Sequence, residues 1–113
     1  MIERIFGLSS DIRYVAVYRE GHLESKEKAG HAGASSSESD RYEELLVNPT
    51  LLTLASQRGN IDCGGLDYLL VRYGNFFQFV LPMPWGHVSV CIEAGADPVQ
   101  IGQHVRALLQ DMP

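Results

Sequence analysis

Three segments in the C-terminal half constrain the fold most. Leu66–Arg72 (LDYLLVR), Phe76–Leu81 (FFQFVL) and His87–Glu93 (HVSVCIE) carry the β-branched and aromatic residues that fit a pleated surface. A turn at Gly74-Asn75 joins the first two, and Pro82-Met83-Pro84-Trp85-Gly86 joins the last two. Links this short join antiparallel neighbours, because a parallel neighbour needs a crossover of about a dozen residues or more. In the last segment Val88, Val90 and Ile92 point one way, and His87, Ser89, Cys91 and Glu93 the other.

The N-terminal half adds a second hairpin. Ile12–Arg19 (IRYVAVYR) reads as a strand, Glu20-Gly21 as a tight turn, and His22–Lys28 (HLESKEK) as a polar partner. With Leu23 its one strong apolar residue, the partner is expected at an edge, where Lys26 and Lys28 discourage pairing with other chains. Met1–Phe6 is either a strand stub or a single helical turn. Ala29–Ser39 (AGHAGASSSES) is small and polar and reads as a mobile loop.

Two helical regions complete the chain. Asp40 and Glu43 have capping-box spacing, and Tyr42, Leu45 and Leu46 share a helical face. Pro49 interrupts that pattern, and Gly59 follows as a candidate C-terminal cap. Asp40–Arg58 is therefore one kinked helix or two short ones. Asp97 with Gln100, followed by Pro98, marks another start, and Ile101, Val105, Leu108 and Met112 form one apolar stripe. The expectation is one α+β domain over residues 1–113: a five-stranded antiparallel sheet with flanking helices.

Composition narrows the function. Nine Lys and Arg against 14 Asp and Glu give a formal charge of −5, the wrong field for phosphate or anionic lipid. No nucleic-acid or membrane partner is therefore expected. No basic region with a long apolar stretch opens the chain, and the longest apolar stretch is too short to span a bilayer. Cys63 and Cys91 lack redox-motif or zinc spacing, and read as free thiols in a reducing cytoplasm. His22, His31, His87 and His104 form no i, i+4 pair, and Glu43-Glu44 point in different directions on a helix. No nucleophile–base pair, phosphate loop or metal motif emerges, so no enzymatic activity, cofactor or metal is expected.

The order of elements, carried by IRYVAVYREGHLES, the helix over Asp40–Arg58 and LDYLLVRYGNFFQFVLPMPWGHVSVCIEAGADPVQIGQHVRALL, resembles the roadblock family, also called the dynein light-chain roadblock domain. The chain looks like a bacterial-type member with a shortened N-terminal helix, since ten residues precede Asp11 and members usually open with a longer amphipathic helix. The resemblance implies a homodimer, or a heterodimer with a related chain. In it the third strands pair edge to edge and the long helices lie side by side. It also implies a scaffold or regulator in signalling, often of a small Ras-like GTPase.

By position the pairing strand is Leu66–Arg72, with Leu66, Tyr68, Leu70 and Arg72 as contact residues. Its apolar run looks buried on both faces, which fits the interior of a continuous dimer sheet or of the monomer sheet. The helix would contribute some of Tyr42, Leu45, Leu46 and Leu52. A second reading is a small-molecule sensor, since the layout is also PAS-like or profilin-like. Its pocket would lie under the helix, with Gln78, His87 and Arg72 as the available anchors. Phe76 and Phe77 must face opposite sides of the sheet, and Trp85 is either a contact anchor or packed over the sheet end.

Overall fold

The computed structural model describes residues 1–28 and 35–112. In chain order the elements are α1 (Ile2–Phe6), β1 (Ile12–Arg19), β2 (His22–Glu27), α2 (Ser37–Tyr42), a π-helical turn (Glu43–Val47) and α3 (Asn48–Asp62). Then come β3 (Leu69–Arg72), β4 (Phe76–Met83), β5 (Gly86–Glu93) and α4 (Pro98–Gln110). The five strands form one antiparallel sheet in the order β2-β1-β5-β4-β3. The expected α+β class holds, and β2 and β3 occupy the two edges.

Alternation along the strands builds two unlike faces. On the first, Val15, Val17, Phe79, Leu81, Val88, Val90 and Ile92 meet Ile5 of α1 and Ile101, Val105 and Leu109 of α4. The short N-terminal segment is thus a helical turn, and Ile5 anchors it with no exposed surface. Asp97 caps α4 as its spacing predicts, its Oδ1 accepting the Gln100 amide at 3.1 Å. Gly102 lets α4 approach the sheet, because a Cβ there would run into the Phe79 ring.

The second face carries Tyr14, Ala16 and Cys91, with Leu23 and Phe76 packed beside them. Since both faces are covered, Phe76 and Phe77 are both half-buried, each under a guanidinium: Arg13 at 5.1 Å and Arg72 at 4.9 Å from the ring centroids. Trp85 packs onto the first-face core with Arg19 at 4.2 Å over its ring, so the packed alternative holds.

Several boundaries differ from expectation. Of the Ala29–Ser39 loop, residues 29–34, including His31, lie outside the described residues. The helix begins earlier than Asp40: Ser36 is the N-cap and accepts the Ser39 amide at 3.1 Å. It also runs past Gly59 to Asp62. Gly59 is buried inside it because the returning chain passes there, with the Gly65 carbonyl carbon 3.1 Å from where a Cβ would sit. The strand expected over Leu66–Arg72 starts only at Leu69 and is not buried on both faces: Leu69 and Val71 are half-buried, Leu70 and Arg72 exposed. An interior position in the monomer sheet is excluded, since β3 pairs with β4 alone.

Candidate functional site

The helical segment over the second face is the candidate site. Pro49 lacks the amide that would donate to residue 45 and crowds that carbonyl. The helix widens just before it, and the Asn48 amide donates to the Glu43 carbonyl, five residues back. Thr50 Oγ1 donates to the Leu46 carbonyl at 2.7 Å. The expected kink is therefore a π-helical turn, an irregularity that often marks functional positions.

One result is a buried polar clasp. Glu44 is fully buried, and its Oε1 lies 2.8 Å from His87 Nε2 on β5 and accepts from Asn48 Nδ2 at 2.9 Å. The Tyr18 ring stacks on His87 at 5.5 Å. Beside it, Gln78 Nε2 donates to Ser89 Oγ, and Cys91 Sγ donates to Gln78 Oε1 at 2.9 Å. Burial, with a contribution from the Glu44 charge, pushes the Cys91 thiol and the Tyr14 phenol well above their ordinary ranges. Glu43 and Glu44 do diverge: Glu43 accepts from Tyr73 Oη at 2.9 Å on the β3–β4 side, while Glu44 turns inward. Burial raises the Glu43 carboxyl, opposed by that hydrogen bond, and burial with the same bond raises Tyr73 to about 12.

The other result is an exposed apolar stripe. Tyr42 is 60% exposed, Leu46 51% and Leu54 59%, with Leu45 and Leu51 also exposed and Leu52 half-buried. Ile61, near the end of α3, is 75% exposed. A helix inside one protomer would turn such residues inward. Tyr42, Leu45 and Leu46 thus share a face, but one turned to solvent.

The strand residues divide differently. Leu66 is half-buried before β3, and Tyr68 stacks on Phe79 at 5.0 Å. Leu70 and Arg72 share the first-face side with Phe79 and Phe77, their register partners. Leu69 and Val71, opposite Val80 and Gln78, share the helix's side of the sheet. The backbone edge of β3 is common to both sets, but Tyr68, Leu70 and Arg72 lie on the opposite face from Tyr42, Leu45, Leu46 and Leu52. The helix-side pair Leu69 and Val71 was legible from alternation in LDYLLVR. The Glu44–His87 pair, 43 residues apart, had no local signal.

Among the described residues no group of three His, Cys, Asp or Glu could hold a metal ion, and no helix is long and apolar enough to cross a membrane. Both cysteines are free, Cys63 exposed and Cys91 buried.

No protein-family model matches the chain, and no curated protein matches it. Among solved structures it is similar to MglC from Myxococcus xanthus, with a TM-score of 0.56 and 13% identity, over 93% of this chain and 87% of that one. The chain therefore has a roadblock-like fold: the five-stranded antiparallel sheet and flanking helices that it shares with MglC.

Proposed function

We propose that the chain is a non-catalytic interaction module that dimerises, as a homodimer or with a related chain, through the β3 edge and the outer face of the α2–α3 segment. The observation that carries this reading is the apolar stripe Tyr42, Leu45, Leu46, Leu51 and Leu54, left in water beside a strand edge that has no neighbour among the described residues. Pairing β3 with its symmetry mate would extend the sheet and lay the two stripes together about a two-fold axis. The opposite edge is unsuited: His22, Glu24, Lys26 and Glu27 of β2 are all exposed, and Lys26 pairs with Glu3.

Such a dimer would serve as a scaffold or regulator in the cytoplasm, where free thiols persist, with a small Ras-like GTPase as the kind of partner the fold suggests. Light scattering tests the first step: a dimer mass at tens of micromolar is expected, and a clean monomer overturns the homodimer.

The three anchors expected for the sensor reading are engaged within the protomer and do not themselves carry it. Gln78 and His87 are occupied by Ser89, Cys91 and Glu44, and Arg72 lies over Phe77 on the opposite face.

A further inference from the structure

A cleft of about 460 Å³ opens between the inner side of the α2–π segment and the β3–β4 end of the sheet. Four aromatic residues line it: Tyr14, Tyr42, Tyr73 and Phe76. Three acidic residues join them, Asp40, Glu43 and Glu44, and no Lys, Arg or His lines the cleft among the described residues. Arg13, stacked over Phe76 and 3.7 Å from Glu93, lines a narrow adjoining pocket that shares Tyr14, Ser35, Asp40 and Phe76 with the cleft, but not the cleft itself.

The second observation is an unmet acceptor. Glu44 is fully buried, and both neighbours, His87 and Asn48, approach Oε1. Oε2 is buried without a hydrogen-bond partner among the described residues. A buried carboxyl oxygen left in this way costs free energy that a donor or a positive charge would recover.

We propose that this cleft binds a small organic ammonium ion. Glu43 and Glu44 would face its charge, and the tyrosine rings would cover its alkyl groups, as aromatic cages do for cations. An anion is excluded by three acidic neighbours. A hard metal ion needs a tight array of oxygen ligands, which the described residues do not assemble. A neutral apolar ligand would desolvate the acidic side chains further without adding a donor or a positive charge. The raised Glu43 carboxyl agrees with a site lacking its positive partner. The site is separate from the proposed dimer surface except at Tyr42, which is left out of the test.

The test is titration of the ¹⁵N-labelled chain with tetramethylammonium chloride. Tert-butanol serves as the neutral isostere and sodium chloride matches ionic strength. Tetramethylammonium is expected to shift the amides of Glu43, Tyr73 and Phe76 to saturation, with the two controls much weaker. Glu43→Gln should weaken binding about tenfold, and Glu24→Gln on the exposed β2 edge should leave it unchanged. Because Glu44 also holds His87 and Asn48, its replacement reads folding, and Glu43→Gln is the variant that decides. Shifts that never saturate, equal affinity for tert-butanol, or unchanged affinity in Glu43→Gln each overturn the proposal. Light scattering on the same samples keeps the readings apart: loss of binding at unchanged mass concerns the cleft alone, and a monomeric wild type that still binds concerns only the dimer.

Discussion

Replacing Leu46 by Asp separates folding from association. In the protomer Leu46 is 51% exposed, so the new carboxylate reaches water and folding should lose about 1 kcal/mol, the contribution of the half already covered. In a dimer closed through this helix, the exposed half of the side chain leaves water. Burying a whole leucine side chain contributes about 1.5–3 kcal/mol, so the half contributes about 1 kcal/mol per protomer. Two-fold symmetry doubles this to about 2 kcal/mol, or about thirtyfold in Kd. Like charges brought together near the axis weaken association further. Sedimentation equilibrium over a dilution series should show the variant dissociating at least thirtyfold more readily than the wild type, a factor about as large as the burial term. Its urea midpoint extrapolated to the monomer should fall only by the roughly 1 kcal/mol of protomer burial, so the larger change is in association. Leu70→Asp at the β3 edge should act in the same direction, at some cost to folding, whereas Lys26→Glu on β2 should leave the mass unaltered. An unchanged dimer Kd for Leu46→Asp would show that the helix stripe is not in the interface.

Other consequences follow from the protomer. Glu44→Ala leaves His87 and Asn48 buried without their acceptor and should cost about 3–5 kcal/mol in urea unfolding, and a loss under about 1 kcal/mol would contradict the clasp. Gly102→Ala forces a methyl into the Phe79 ring and should cost about 1–3 kcal/mol, read as a lowered Tm. Iodoacetamide should label Cys63 alone in the folded protein and both thiols in denaturant, since Cys91 is buried and its pKa raised. The Glu43 carboxyl is raised above its ordinary 4.5, so the folded chain holds that proton more tightly than the unfolded chain. Stability is then fuller below that value and falls as pH climbs from about 4.5 through the folded value. Glu43→Gln should flatten this slope in urea midpoints taken across the range, and a wild-type slope in the variant would contradict the assignment.

What the chain determines locally is visible without the fold. Alternation in HVSVCIE, the turns at Glu20-Gly21 and Gly74-Asn75, and the Asp97-Pro98 start of α4 depend on residues within a few positions of one another. With short connections they suffice for two antiparallel units, β1–β2 and β3–β4–β5. The pairing of β1 with β5, which leaves β2 and β3 at the edges, joins distant segments and is a tertiary outcome that only the family resemblance anticipated. Glu20 and Gly21 bear this out with φ of 49° and 85°, the left-handed pair a two-residue hairpin needs. Other features depend on what lies opposite. Gly59 reads as a helix stop, yet sits inside α3 because the Gly65 segment presses against it. Leu66–Tyr68 have strand composition but pair with no strand, although β4 runs on past Val80 to Met83; two positions beyond Val80 stands Pro82, which has no amide to offer a ladder. Helical periodicity groups Tyr42, Leu45 and Leu46 on one face, but only packing decides that this face is turned to water. The extra residue per turn before Pro49 rotates Glu44 inward to meet His87 from a distant strand. Spacing records which side chains share a face of one element. Which face is covered, and which polar group meets which, is decided where separate elements compete for the same buried volume.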